Sequence, residues 1–257
     1  MTELENTVNQ AIADFDGIKK ALEESGVDVP YDTDTSEYGK LIRSIPNFDD
    51  GYEAGQNTIY DIALRGGERT SCENAFIYWD MEYIRPPFVW KPTSRTVSCF
   101  QNCRYLKKIE KQYLDFSGCS ASGTSTSGHY NTVMGCGSLE VFEDIGLSVT
   151  GEYYQTWRAN GKLHTIELVR SNKATKYTNT FYGCSELIYI RFEGEIGQNI
   201  SFSSCGKLSN DSINDIIDHL ADLTGETAKT ISWHSSITPK LTGEQWQKIA
   251  NKNWMLG

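Results

Sequence analysis

Hydrophobic positions in the middle of this chain recur in one pattern, in which an apolar residue is followed at steps of three by Cys, Leu and Ile. One repeat reads Phe181-x-x-Cys184-x-x-Leu187-x-x-Ile190. The Leu or Met positions of successive repeats are 25, 33, 24, 24 and 21 residues apart. Because each unit is too short to bury its own apolar side chains, we expect the units to stack and share one core. The other repeats begin at Phe100, Val133 and Trp157, with a truncated one at Phe202 and a degenerate one reading Tyr78-x-x-Met81-x-x-Ile84.

The longest step contains a Ser/Gly-rich insertion, residues 117–130, which should loop out of the stack. Without it, the period lies in the range of leucine-rich repeats. The cysteine of each repeat then fills a small apolar position in the shared core and is not a metal ligand or nucleophile. In the repeat that begins at Trp157, Asn160 takes the cysteine position, and its side-chain amide should bond to turn backbone.

The end of each repeat predicts a short strand. Since side chains alternate along a strand, Leu187, Ile190 and Phe192 should point inward, as should Leu163, Ile166 and Leu168. The residues between them should face solvent and line up on one open sheet face, the surface with which solenoids usually bind partners. An ordinary solvated strand surface is the alternative. The candidate partner-binding residues are Tyr83, Arg85, Lys108, Glu110, Val141, Glu143, Thr165, Glu167, Tyr189 and Arg191.

The first 65 residues predict an acidic arm of three helices. Apolar residues at alternating steps of four and three form a candidate oligomerisation seam with coiled-coil spacing. The seam spans fewer than three heptads, so an amphipathic helix that packs on its own domain is the alternative. The seam residues are Leu4, Val8, Ala11, Phe15, Ile18 and Leu22.

The C-terminal residues predict a helix, a strand and a second helix. Asn210 or Asp211 should cap the first helix, Thr230–Trp233 should form the strand, and Thr242 with Gln245 forms a capping box for the second helix. Asn253 should end that helix in a left-handed conformation. Overall we expect an α+β fold: a helical arm over 1–65, a leucine-rich-repeat solenoid of short stacked strands over 66–208, and an αβα capping segment over 209–257.

The charge distribution argues against nucleic-acid binding. The net charge is −10, and nearly all of it lies in the first 65 residues, which leaves the remainder without a basic footprint. No apolar run reaches the length of a membrane span, and no secretory signal is visible, so we expect no membrane insertion and synthesis in the cytoplasm.

Catalytic and metal-binding motifs are missing from the sequence. The seven cysteines contain no CxxC pair, Cys99 and Cys103 are too far apart for one, and the four histidines lack metal-ligand spacing. GxSxG, Walker and HExxH motifs do not occur. We therefore expect no catalytic residue, no metal and no cofactor. A dispersed pair of glycosidase-type carboxylates is the enzymatic alternative.

The repeat pattern resembles the BspA-type leucine-rich repeat, which occurs in bacterial surface proteins and in bacteriophage proteins. The segments "TVNQAIADFDGIKKALEESGVDVP" and "TSEYGKLIRSI" are similar to the N-terminal region of tail-associated proteins of phages of Gram-positive bacteria. "RTSCENAFIYW" through "KPTSRTVSCFQNC" resembles the start of their repeats, and 190–233 with "KLTGEQWQKIANKNW" resembles their C-terminal cap. The insertion 117–130 and Asn160 depart from the family pattern.

This resemblance implies a non-enzymatic virion structural protein of the phage tail, a fibre or baseplate-associated component, assembled in the host cytoplasm. Its expected partners are other virion proteins, further copies of itself with a trimer favoured, and a host cell-surface protein or glycan. The alternatives are an adhesion module of a bacterial cell-surface protein, a phage head fibre or decoration protein, and a polysaccharide-degrading enzyme on a repeat scaffold.

Overall fold

A computed structural model of the 257-residue chain describes residues 64, 69–94, 96–119, 129–147, 151–171 and 174–257. All of them belong to one compact unit, Tyr60–Gly257. The predicted oligomerisation seam lies outside the described residues and stays a prediction. Its members are Leu4, Val8, Ala11, Phe15, Ile18 and Leu22.

The described residues form a mixed α and β fold with two parallel sheets and two α-helices. The first sheet has the order β1-β2-β3-β4, and the second has the order β5-β6-β7. A short 3-10 helix, Thr238–Lys240, precedes the second α-helix. The strands are β1 Lys108–Ile109, β2 Val141–Phe142, β3 Thr165–Arg170, β4 Tyr189–Glu193, β5 Ile200–Phe202, β6 Lys229–Trp233 and β7 Trp254–Leu256, and the helices are α1 Asn210–Asp218 and α2 Gly243–Asn251.

Each strand of the first sheet comes from one repeat and pairs with the strand of the next. Lys108 pairs with Val141, Val141 with Thr165, and Thr165 with Tyr189, while a bridge from Tyr83 to Lys108 extends the ladder by one repeat. Equivalent positions of successive repeats are therefore neighbours, as the period predicts. The pairing also crosses the step that contains the insertion, between Lys108 and Val141.

A second ladder runs through the turn around the first apolar residue of each repeat. Phe76 N donates to the Cys99 carbonyl at 2.8 Å, and Phe100 N donates to the Thr132 carbonyl at 2.7 Å. The residues two before and two after the apolar residue have positive φ, a conformation that favours Gly and Asn. These residues are Asn74, Ser98, Asn131, Gln155 and Asn179 before it, and Tyr78, Asn102, Gly135, Ala159 and Gly183 after it.

Aromatic rings stack through the core from repeat to repeat. The ring centroids lie 5.4 Å apart for Phe76 and Phe100, 5.7 Å for Trp157 and Phe181, and 5.0 Å for Phe181 and Phe202. The column is interrupted at Val133, which has no ring.

Two positions of the repeat pattern are wrongly assigned from the sequence. Tyr78 does not begin the first repeat, since it is exposed and the fully buried Phe76 occupies the stacking position. Leu168 does not point inward, because the register of β3 and β4 shifts between Ile166 and Val169, and Val169 takes the buried position instead. The extra residue on β3 forms a β-bulge, which reverses the alternation from that point on.

The cysteines of the repeats are buried, as predicted, and each links its repeat to the one before. The Sγ of Cys103 donates to the Phe76 carbonyl at 2.8 Å, and that of Cys184 donates to the Trp157 carbonyl at 3.0 Å. Asn160 makes the equivalent bond, since its Nδ2 donates to the Val133 carbonyl at 2.9 Å. The prediction that its amide bonds to turn backbone is confirmed.

The insertion 117–130 was predicted to loop out of the stack, but buried residues lie near both of its ends. Cys119 and His129 are fully buried, and His129 Nδ1 lies 2.5 Å from Thr96 Oγ1. Residues 120–128 lie outside the described part of the chain.

Helix α1 closes the open edge of β4 with side chains. Ser212 Oγ accepts the Ile190 N–H at 3.0 Å, and an Asp215 carboxylate oxygen accepts the Phe192 N–H at 2.8 Å. These two oxygens stand where the carbonyls of a further strand would lie. Unpaired strand edges are sites of unwanted pairing, so this contact ends the first sheet at β4.

The predicted C-terminal elements are present with two differences. The N-cap of α1 is Ser209, whose side chain accepts the Ser212 N–H, and neither Asn210 nor Asp211 takes this role. The capping box of α2 is confirmed, as is the left-handed Asn253, at φ 59°. Sequence patterns missed β7, which pairs with β6.

Candidate partner-binding face

The ten predicted residues form two columns on the first sheet, one for each outward position of the strands. The first column follows the strand register, with Tyr83 beside Lys108 at one end and Thr165 beside Tyr189 at the other. In this first column Tyr189 is 37% exposed, and the other four side chains are half-buried. The first column is Tyr83, Lys108, Val141, Thr165 and Tyr189; the second is Arg85, Glu110, Glu143, Glu167 and Arg191.

Side-chain alternation predicts that Glu110 is open to a partner, and this prediction is wrong. Glu110 is only 5% exposed, and its carboxylate accepts two bonds from the Arg85 guanidinium, at 2.6 Å and 3.2 Å. A paired fork of this kind is a strong charge-assisted interaction. Arg85 covers Glu110 and presents its own cationic group at the surface instead.

The two central carboxylates, Glu143 and Glu167, bind basic side chains and backbone N–H groups of other repeats. Glu143 pairs with Lys108 Nζ at 2.6 Å and accepts the Lys111 N–H at 2.9 Å. Glu167 pairs with Lys111 Nζ at 3.1 Å and accepts the Asp144 N–H at 3.0 Å. Burial opposes ionisation of Glu143, but the bonds from Lys108 and Lys111 outweigh it and lower the pKa of that carboxyl. These carboxylates therefore also bind the repeats together.

Arg170 adds a cross-repeat cluster that the sequence analysis missed. Its guanidinium contacts both carboxylate oxygens of Asp144, one at 2.7 Å, and its Nε lies 3.1 Å from a Glu193 oxygen. Burial opposes ionisation of Asp144, yet the contact with Arg170 prevails and lowers the pKa of the carboxyl. Because the β-bulge sets which residues of β3 point outward, alternation alone could not identify this cluster.

Tyrosine and arginine occur together at both ends of the face. The Arg85 guanidinium lies 4.1 Å from the centroid of the Tyr83 ring, and that of Arg191 lies 5.1 Å from the Tyr189 ring. Such cation–π contacts hold the arginine over the ring. Arg191 also donates to the Asp211 carbonyl at 3.0 Å, which connects this end of the face to α1.

The face is therefore polar, largely pre-organised and extended over five repeats. Acidic groups lie in its centre, and an aromatic ring with a cation lies at each end. Rigid tyrosine rings with adjacent hydrogen-bonding groups suit contact with either a protein or a glycan, since ring surface is presented at low entropic cost.

The described residues contain no group of three His, Cys, Asp or Glu side chains that could hold a metal ion. His219, the C-cap residue of α1, has its Nδ1 3.6 Å from an Asp215 carboxylate oxygen. Neither helix of the described ranges has the length and apolar character that crossing a membrane requires.

Comparisons of the chain with protein-family models, with curated proteins and with solved structures found no match.

Proposed function

We propose that this chain is a leucine-rich-repeat solenoid protein with a recognition role, and that it is a non-enzymatic structural component of a bacteriophage virion. In this proposal the first sheet binds a protein or glycan on the host surface. The observation that carries the recognition role is the in-register alignment of the outward strand positions from Tyr83 to Tyr189. Stacked repeats use such continuous sheet surfaces for partners, because every added repeat extends the same surface.

The electrostatics of the face favour binding over catalysis. A glycosidase needs one carboxyl whose pKa is raised so that it can act as a general acid. On this face the resolved shifts go the other way, since the pKa values of Glu143 and Asp144 are lowered. Carboxylates that stay ionised and paired suit a fixed recognition surface.

The virion role has its support in the sequence resemblance to tail-associated phage proteins. In that setting, the acidic arm over 1–65 joins copies of the chain, as a trimer, or docks on other tail proteins, and the repeats face outward. A tail fibre or baseplate location is proposed first, and a head fibre or decoration protein is the second candidate. An adhesion module of a bacterial cell surface would use the same face.

A matched pair of tyrosine variants tests the recognition role. Tyr189 and Tyr182 belong to the same repeat and are 37% and 57% exposed, but only Tyr189 lies on the face. Fluorescently labelled full chain is added to Gram-positive cells and to their purified walls. Tyr189→Ala should reduce binding several-fold, whereas Tyr182→Ala should bind like the wild type. Equal loss in both variants, or loss in Tyr182→Ala alone, would remove the face from the binding role.

The virion location needs a separate experiment. Antibodies against the full chain should label particles in a phage lysate that contains it, at the tail tip or fibres, when viewed by electron microscopy. Labelling on the head would favour the decoration protein. Labelling confined to the walls of uninfected bacteria would favour the cell-surface module and overturn the virion proposal.

A further inference from the structure

Two buried cysteines outside the repeated cysteine position face each other. Their sulfur atoms, Cys72 Sγ and Cys119 Sγ, lie 3.3 Å apart, and both side chains are fully buried. The two residues are 47 positions apart in the chain. Sulfurs this close mean that the side chains already point at each other, so a disulfide of about 2.05 Å needs only a small approach.

The surroundings of this pair differ from those of the repeat cysteines. Cys184 and its equivalents donate to a carbonyl of the preceding repeat, and that bond gives them a structural role. Cys119 has a weaker contact with the Pro92 carbonyl at 3.4 Å, and Cys72 has one with the Ser94 carbonyl at 3.7 Å. The contact between the two sulfurs, at 3.3 Å, is shorter than either of these carbonyl contacts.

We propose that Cys72 and Cys119 form an intramolecular disulfide when the protein meets an oxidising environment that contains a small-molecule disulfide. The Cys72 thiolate attacks glutathione disulfide and releases one glutathione, and the Cys119 thiolate then attacks Cys72 Sγ and releases the second. The two protein sulfurs are oxidised by two electrons, the glutathione disulfide is reduced by the same two, and the two thiol protons end on the glutathiones. Thiolates are the reacting species in both steps.

The reaction requires transient opening at this end of the repeats, because neither sulfur is accessible in the closed fold. Burial also raises the pKa of Cys72, which keeps the thiol protonated and slow to react until opening occurs. Once formed, the bond joins the first repeat to the start of the insertion, residues 117–130. Closing a loop of this length restricts the unfolded chain and so raises the stability of the folded one.

Thiol counting on the full chain tests the proposal. After incubation with glutathione disulfide and removal of the reagent, titration in denaturant should give two thiols fewer than the seven of the reduced chain. The melting temperature should rise, and digestion without reductant should yield one linked peptide pair containing Cys72 and Cys119. Cys72→Ser should lose no thiol under the same treatment, while Cys136→Ala, which leaves the pair intact, should still lose two.

Retention of all seven thiols would overturn the proposal. Linkage of Cys72 to Cys99, which also lies nearby, would overturn it as well. The peptide map of the wild-type chain decides the question even if the serine variant fails to fold.

Discussion

The repeats and the C-terminal segment satisfy their polar groups in different ways. In the repeats, each strand and turn bonds to the equivalent strand and turn of the next unit, as Lys108 does to Val141 and Val141 to Thr165. In the C-terminal segment, helix ends are satisfied locally, as in the capping box of Thr242 and Gln245. The repeats therefore depend on their neighbours, whereas the C-terminal helices carry their own start signals.

The junction between the two regions shows how a periodic structure is brought to an end. The last strand of the first sheet has no further repeat to accept its N–H groups, and Ser212 and Asp215 of α1 provide oxygens in their place. Helix α1, which begins at its Ser209 N-cap, thus ends the first sheet by accepting the N–H groups of β4.

The largest effect should follow from a break in the stacked core. Trp157→Ala removes a ring that stacks on Phe181 at 5.7 Å and meets Phe142 edge-on at 5.4 Å. Loss of a buried aromatic side chain costs about 3–5 kcal/mol of unfolding free energy. Urea unfolding followed by circular dichroism measures this loss of unfolding free energy. Trp246→Ala is the matched control in the C-terminal segment, where the ring is 40% exposed, and should change stability by less than about 0.5 kcal/mol.

The junction should be the next most sensitive place. Asp215→Ala leaves the Phe192 N–H without its acceptor and removes the carboxylate that pairs with Arg191. An unsatisfied buried donor costs about 1–3 kcal/mol, so urea unfolding should begin earlier, and hydrogen exchange at β4 should become faster. Asp218→Ala is the control, since the Asp218 side chain lies at the surface of the same helix, where it pairs with Lys248. Similar destabilisation by both variants would contradict the role of Asp215 as a strand substitute.

Acid should weaken the repeats through the carboxylates of the face. The pKa of Asp144 is lowered in the folded chain: burial opposes ionisation, and Arg170 more than compensates. The stability from this pair is fully present above the unfolded pKa of about 3.9 and is lost as pH falls through the lower folded value. Asp144→Asn should therefore reduce the loss of stability between neutral and strongly acidic pH in urea titrations. An unchanged acid dependence would show that the cluster is unimportant.

A smaller gain in stability should come from placing a cysteine at position 160, as in the neighbouring repeats. Asn160 Oδ1 is buried without a hydrogen-bond partner, whereas a cysteine at this position needs no such acceptor bond. Asn160→Cys should raise the unfolding free energy by about 1 kcal/mol, because the unsatisfied oxygen is removed and a donor to the preceding repeat is kept. Cys184→Asn is the reciprocal variant and should be destabilising. A loss of stability in Asn160→Cys would mean that the hydrogen bonds of the Asn160 amide stabilise the fold by more than its unpaired oxygen destabilises it.

Periodicity was enough to predict that equivalent strand positions are neighbours, that the cysteines are buried and where most inward strand positions lie, because these features recur at fixed spacing. It did not predict the bulge that replaces Leu168 by Val169, which depends on the neighbouring strand. The paired left-handed positions were a missed signal: Asn131 and Gly135 flank Val133 symmetrically. Gly135 has φ 75°, a backbone conformation that L side chains rarely adopt, so that position has a conformational reason for its glycine.

The candidate face was predictable in position and less so in chemistry. Alternation identified the outward residues, but it could not show that Glu110 is covered by Arg85 or that Arg170 reaches Asp144. Ion pairs between repeats join residues about 25 positions apart, and their geometry depends on side-chain reach across the sheet. Local signals in the sequence do not encode that reach.

Hydroxyl-radical footprinting of the full chain bound to Gram-positive cell walls would show which surface of the repeats makes the contact. Tyrosine rings react readily with the radical, and the chain has exposed or half-exposed tyrosines both on the face and off it. Recognition through the first sheet predicts that binding protects Tyr83 and Tyr189 and leaves Tyr78 and Tyr182 unchanged. Protection of Tyr78 and Tyr182 with no change at Tyr83 and Tyr189 would contradict it and move recognition to the turn side of the repeats.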